Sequence, residues 1–234
     1  MKIQFLGTGG AFDPEYGNAA ALVRSNGKAY LVDCGFTVYA KLKEHNLFNE
    51  IDYILLTHLH NDHTGSLANV LLHYNLISNP GEKMKIIYPA KKYRRQISDF
   101  LSVALIDTDK YVDWVSIKDT GNVQAIDTYG LHVKNYQTYG YYFREGNDVI
   151  AYSGDIGDGN FIFQKLKKNK ITGAIVFHDI TFDKDPCHTH YPVLMEHLED
   201  HQIHGYHCNP EKNKIDNVIP LVADQPRFLV KKNL

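Results

Sequence analysis

The 234-residue chain has few cysteines, and their odd number, three, leaves no fully paired disulfide framework. A reducing compartment, the cytoplasm, is therefore expected. Net charge is also small. The 25 Lys and Arg against 27 Asp and Glu leave −2, which argues against a strongly basic nucleic-acid binder and against an acidic disordered chain. No apolar run reaches the ~18 residues of a membrane helix, and the first residues, Met1 to Phe12, read as a strand and a loop rather than a leader. Low-complexity tracts and internal repeats are absent. What is present is an ordinary apolar fraction, 44%, enough for a sizeable core. The length suits one domain, residues 1–234. The chain also has 13 histidines, many for its size.

Short strands come first, then strand and helix in alternation. Lys2 to Leu6, Ala19 to Arg24 and Ala29 to Val32 read as strands, the last two joined by the hairpin signal Asn26-Gly27. Phe36 to Leu47, Leu67 to Ile77 and Lys91 to Ile106 read as helices, and Tyr53 to Leu56 and Lys85 to Tyr88 as strands between them. Strand signals then dominate: Tyr111 to Ile117, Val123 to Ile126, Leu131 to Asn135, Tyr139 to Phe143 and Val149 to Tyr152. The remainder reads as helix Phe161 to Lys168, strand Ala174 to Phe177, helix Pro192 to His201 and strand Ile203 to His207. Two strand-rich halves, each with helices, predict an α/β four-layer αββα sandwich.

Thr57-His58-Leu59-His60-Asn61-Asp62-His63-Thr64-Gly65 directly follows an apolar strand. In extended backbone, residues two apart face the same way, so His58 and His60 can reach one ion. Asp62 and His63, beyond the turn, can reach a second. Imidazole and carboxylate suit zinc, and also manganese or iron. Four ligand-type residues within six positions are hard to reconcile with a merely solvated loop.

This motif resembles that of the metallo-β-lactamase superfamily. Asp33, in Leu31-Val32-Asp33-Cys34-Gly35, is similar to the residue that shapes the metal loop there without binding metal. Asp155, in Ala151-Tyr152-Ser153-Gly154-Asp155, is similar to the Asp that bridges both ions, and His207, in Tyr206-His207-Cys208-Asn209-Pro210, to the last ligand of the second ion. The opening Phe5-Leu6-Gly7-Thr8-Gly9-Gly10 and the stretch Phe177-His178-Asp179-Ile180-Thr181-Phe182 resemble the ribonuclease Z-like branch. That likeness implies that Asp179 orients a histidine acid, His188 or His190, in Cys187-His188-Thr189-His190.

In one respect the chain departs from the pattern. The superfamily places a third His on the first ion, in a loop before a Gly-Tyr-type strand, and none stands in that place here. Gln137 and Thr138 lie nearest, while His132 reads as a residue of the strand Leu131 to Asn135. His132, Gln137, water or nothing are all open as the fourth partner. The resemblance implies hydrolysis by a metal-activated water, with Asp62 orienting the nucleophile and His188 protonating the leaving oxygen. Transfer RNA is a poor substrate for this chain. The long arm of ribonuclease Z is missing, about twenty residues separating Ser153-Gly154-Asp155 from the next strand, and the two basic runs read as solvated helix faces. Compact members of the branch include cyclic nucleotide phosphodiesterases, among them anti-Pycsar-type enzymes, so a small phosphodiester such as a cyclic nucleotide is expected. Two alternatives stand beside it: a lactone, thioester or carboxylic-ester hydrolase, and a metal-binding protein weakened by the absent His. Each cysteine adjoins a motif residue and reads as small and buried, with Cys187 and Cys208 open as thiolate ligands. A homodimer, common among such proteins, is left open.

Overall fold

The computed structural model describes residues 1–231 and contains two β-sheets that divide the chain between them. The first sheet comprises β1 (Lys2–Gly7), β2 (Ala20–Ser25), β3 (Lys28–Val32), β4 (Tyr53–Leu55), β5 (Met84–Tyr88) and β6 (Val112–Ser116), in that spatial order. The second comprises β7 (Val123–Asp127), β8 (Tyr139–Glu145), β9 (Asp148–Tyr152), β10 (Ile175–Asp179) and β11 (Gln202–Tyr206), ordered 11-10-9-8-7. In each sheet the hairpin-linked strands pair antiparallel, and the strands separated by helices pair parallel. The β2–β3 hairpin has the turn its sequence signals: Asn26 and Gly27 both take positive φ, 50° and 70°, as a type I′ turn requires.

Side-chain alternation sorts the second sheet into two faces. Tyr141, Phe143, Ile150, Tyr152, Phe177 and Tyr206 pack with the first sheet, while Tyr142, Val149, Ala151 and Val176 pack with Ile162, Phe163 and Leu166 of α5 (Asn160–Lys168). Helices α1 (Val38–Glu44), α3 (Leu67–His73) and α4 (Lys91–Leu105) share the core of the first sheet, and α6 (Tyr191–Met195) that of the second. On α4 the buried residues Tyr93, Ile97, Leu101 and Leu105 recur every fourth position, the spacing of one helix face. The result is the αββα sandwich. Among the described residues no helix is long and apolar enough to cross a membrane.

Two expected elements differ. Leu131 to Asn135 is not a strand but a compact loop, closed by Gly130 N–H to the Tyr136 carbonyl (2.9 Å) and Tyr136 N–H to the Val133 carbonyl (3.0 Å). Gly130 and Asn135, at φ 73° and 62°, bend the chain back at both ends, so local bonds replace a ladder. The last helix stops at Met195 and continues as turns to Asp200, leaving Leu198 at the surface.

Candidate metal centre

The cluster members stand just past strand ends, in loops or on one short helix, at one rim of the sandwich. After β4, Thr57 and His58 lead into α2 (Asn61–Thr64), which carries Asp62 and His63. The segment Asp33-Cys34-Gly35 after β3 holds this short helix in place. Cys34 N–H donates to the His63 carbonyl (2.7 Å), and Ser66 N–H donates to the Cys34 carbonyl (3.0 Å). A Cβ at Gly35 would lie 1.9 Å from the Asp62 carbonyl oxygen, so only glycine allows this approach. Gly154 (φ 64°) allows the same beside the Tyr139 carbonyl, 2.6 Å from where its Cβ would be, and it turns Asp155 off the end of β9. His207, at the end of β11, also has a left-handed backbone, φ 63°, anchored by its N–H to the Thr8 carbonyl (2.8 Å).

Two groups of donor atoms result. In the first, His58 Nε2 and His132 Nε2 lie 3.0 and 3.2 Å from His60 Nδ1, and 3.8 and 4.0 Å from Asp155 Oδ2. In the second, Asp62 Oδ2 is 3.2 Å from both His63 Nε2 and His207 Nε2, which lie 3.3 and 3.4 Å from Asp155 Oδ2. A tetrahedral ion with bonds near 2.1 Å separates its donors by about 3.4 Å. Both groups match that spacing, and Asp155 Oδ2 belongs to both.

The hydrogen bonds behind these atoms fix which of them carry lone pairs. The Asp33 carboxylate accepts from Thr57 N–H (2.8 Å), Thr57 Oγ1–H (2.9 Å to Oδ2) and His63 Nδ1–H (2.9 Å). Thr57 Oγ1 in turn accepts from His58 Nδ1–H (3.0 Å), and the Cys187 carbonyl accepts from His132 Nδ1–H (2.8 Å). His58, His63 and His132 therefore present a bare Nε2 to the centre. His63 Nε2 and Asp155 Oδ1 are buried without a hydrogen-bond partner. Lone pairs converging on carboxylate oxygens in a buried site call for a cation. Burial alone would lower His63, but Asp155 and Asp33 outweigh it and hold the imidazolium well above its ordinary value. His58 is pushed well below by burial and by the neighbouring His63. These residues fit a pair of divalent ions, with Asp33, Thr57 and the Cys187 carbonyl supporting them.

Beside the two groups lies a third feature. His188 Nδ1 donates to Asp179 Oδ2 (2.9 Å), which also accepts Ile156 N–H (3.0 Å). The His188 ring stands 5.1 Å from those of both His132 and His207. Burial would lower the imidazolium, yet the Asp179 carboxylate outweighs it and holds His188 up at about 10. His190 instead starts α6, its ring edge against Tyr191. His60, Asp62, His132, Asp155, His188 and His207 line one cleft of about 900 Å³.

The structure thus gathers His58, His60, Asp62, His63, Asp155, His207, His188 and Asp179 at one rim. It corrects one expectation. His132 is not a strand residue; its loop brings the imidazole, one of the partners left open, beside His58 and His60. Gln137 donates to Asp127 (2.8 Å) and the Thr138 carbonyl, and the Thr138 hydroxyl donates to the Thr128 carbonyl, so neither takes that place. Gly130 and Lys134-Asn135, turn-type residues on either side, were the available signal. No cysteine sulfur joins a metal-type group among the described residues. Cys208 is buried, its thiol pushed up to about 12, and Cys34 contacts Ser66.

The fold is shared with solved structures of low sequence identity. Human tRNase Z, short form, superposes with a TM-score of 0.69 at 21% identity over all of both chains. The metallo-β-lactamase fold protein YhfI from Bacillus subtilis gives 0.67 at 13% over 88% of this chain and 85% of that one, and a diphosphatase of the PhnP family 0.62 at 18% over 88% and 86%. The architecture is the metallo-β-lactamase fold, with a rim of histidines and aspartates spaced to hold metal ions. Residues 1–219 match the family described as Anti-Pycsar protein Apyc1, and the chain belongs to that family. The Anti-Pycsar protein Apyc1 of Bacillus phage BSP38 is 29% identical over 222 residues, 85% of this chain and 84% of the relative. That of Bacillus phage vB_BveM-Goe7 is 31% identical over 174 residues, 66% and 67%.

Proposed function

We propose that the chain is a metal-dependent phosphodiesterase that opens the ring of a cyclic mononucleotide. The observation that carries this reading is the His188–Asp179 pair beside the two donor groups, an acid aimed into the same cleft. Attack on a phosphodiester breaks a P–O bond whose departing alkoxide needs a proton, which such an acid supplies, whereas the thiolate of a thioester leaves without one.

His58, His60 and His132 would hold one ion and Asp62, His63 and His207 a second, with Asp155 between them; zinc suits this donor set, as do manganese and iron. Such ions supply a water acidified toward a pKa of about 7 and a positive field for the phosphate. Asp62, with Oδ2 toward the second group, orients the attacking water and accepts its hydrogen bond. Asp179 holds His188 by Nδ1, so that Nε2 is free to deliver its proton to the leaving ester oxygen. Water oxygen joins phosphorus, the ring P–O bond breaks, and the alkoxide leaves as an alcohol. A small substrate fits better than transfer RNA. Two side chains of the basic runs are packed on aromatic rings, with Arg94 over Tyr88 and Trp114 and Lys165 over Phe161. The reading of a weakened metal-binding protein rested on an absent third imidazole, and His132 removes that support.

The test pairs elemental analysis with chromatography of 3′,5′-cyclic nucleotide digests, for the native chain and His188→Gln. About two divalent ions per chain, nucleoside monophosphate as product, and a kcat loss of about 10²- to 10⁴-fold in the variant at equal metal content are expected. A fully metallated chain that leaves cyclic nucleotides intact would overturn the reading. Ester turnover insensitive to His188→Gln would transfer it to an ester hydrolase.

A further inference from the structure

We infer that Phe36 and Phe12 form an aromatic clamp for the nucleobase at the mouth of the cleft, so that stacking on an uncharged ring sets affinity. This rests on the proposed cyclic nucleotide substrate and assigns the part of the site that holds its base.

Both rings line the cleft, and both are bare, Phe36 58% and Phe12 94% exposed. Neither belongs to the core that absorbs most of the other aromatics. Phe36 is nonetheless fixed. Its ring lies on Gly65, where a Cβ would stand 2.5 Å from its Cδ1, and the preceding Gly35 is pressed on the Asp62 carbonyl. The ring is thereby held against the end of α2, the helix that carries Asp62 and His63. Phe12 lies on the loop between β1 and β2. The adjacent Asp13 accepts from Asn209 Nδ2 (3.3 Å), two residues after His207, which ties this loop to the second donor group. Two π-faces thus stand at one mouth, on segments tethered to the same candidate ion site.

The charges around the cleft leave this task to the rings. Apart from the donor groups and the His188 pair, the lining carries Asp13, Asp183 and Asp185 against Lys212. Asp183 is answered by Lys214 at 3.2 Å, but the rim has no excess of positive charge to attract a nucleotide. The phosphate is left to the centre, and the remaining affinity must come from the neutral base. Its π-faces suit a ring partner, and a cleft of about 900 Å³ accommodates a ligand of this size.

The experiment measures kcat and KM of the metal-loaded native chain, Phe36→Ala, Phe36→Trp and Phe12→Ala. Substrates are a 3′,5′-cyclic nucleotide and the same ribose cyclic phosphate without a base. Calorimetric titration with the nucleoside monophosphate product gives affinity without turnover. Expected are a five- to hundredfold rise in KM for the nucleotide in each alanine variant, a parallel loss of monophosphate affinity, and recovery in Phe36→Trp. The native preference for the substrate with a base should collapse. Equal losses on both substrates would make the rings structural and overturn the clamp, as would nucleotide KM and monophosphate affinity that stay within twofold of native. If the native chain hydrolyses neither substrate, the phosphodiesterase reading fails; the titration still decides the clamp, since monophosphate affinity indifferent to both alanines refutes it.

Discussion

The most informative single substitution is Asp33→Asn, because it changes a proton's position without changing shape. Asp33 is fully buried, and its carboxylate is the acceptor for Thr57 N–H, Thr57 Oγ1–H and His63 Nδ1–H. Its backbone is left-handed, φ 66°, which asparagine tolerates, so strain is not the variable. An asparagine has one acceptor oxygen. Placed on Thr57, it turns its own NH₂ toward His63 Nδ1. The imidazole answers by moving its proton to Nε2, the atom 3.2 Å from Asp62 Oδ2 and 3.3 Å from Asp155 Oδ2. The second donor group then loses a ligand lone pair. Loss of such an outer partner costs about 10- to 100-fold in metal affinity, or about 1.4–2.7 kcal/mol. The first group, reached from Asp33 only through Thr57 and His58, should be affected less. Competition with a chromophoric chelator resolves the two affinities, and thermal unfolding in chelator reports the apo fold, expected to lose about 1.5–3 kcal/mol with the charge-assisted bond. Second-ion affinity within twofold of native, in a folded variant, would refute the tautomer argument.

Two further outcomes follow from the same geometry. His132→Gln removes both Nε2 and the Nδ1–H bond to the Cys187 carbonyl, so bound metal measured at micromolar supply should fall from about two ions per chain toward one; retention of two with native affinity would return His132 to a packing role. His204 is lowered from 6.5 to about 4 by burial against Phe177 and Phe228, with Arg227 adding to it. Between those values the unfolded chain holds a proton that the folded chain lacks, so stability should fall as pH drops from about 6.5 to about 4 and lose nothing more from this group below that. The full shift would be about 3 kcal/mol, and partial solvation of the ring brings it to about 1–2. Urea denaturation of His204→Leu across this range should lack that limb, and an unaltered pH slope would count against the assignment.

What could be read in the sequence, and what could not, divides along a physical line. β4 and β9 are short, mainly apolar runs and β11 is a short buried strand, and the chemistry-bearing residues follow them within three positions, so strand and motif agree on where each ligand-type side chain emerges. The pair Asp179 and His188 was reachable only through the likeness of Phe177-His178-Asp179-Ile180-Thr181-Phe182 to the ribonuclease Z-like branch, which left His190 open beside His188. His132 was not. Leu131-His132-Val133 alternates apolar and polar like a strand, and the turn-type Gly130 and Asn135 on either side do not by themselves say that Tyr136 N–H will close on the Val133 carbonyl instead of a neighbouring ladder. That outcome depends on tertiary contacts: Gly157 N–H donates to the Leu131 carbonyl (2.7 Å), and the Cys187 carbonyl orients the imidazole from 55 residues away. Propensity over five residues cannot outweigh such contacts.

The same reasoning explains why the centre is robust where its sequence is irregular. Of the seven donor residues, His58, Asp155 and His207 follow strands and His60, Asp62 and His63 enter or sit on α2, so their directions are set by regular elements. The His132 loop has no strand to aim it and is aimed instead by its own turn and by two long-range carbonyl contacts. A substitution in a strand-end segment therefore has to break a sheet to move a ligand, whereas one in the loop has only to free Gly130 or Asn135 from its left-handed backbone. Variation in the first donor group should be concentrated at His132 for that reason, while Asp155, shared by both groups and turned by Gly154 against the Tyr139 carbonyl, tolerates the least displacement.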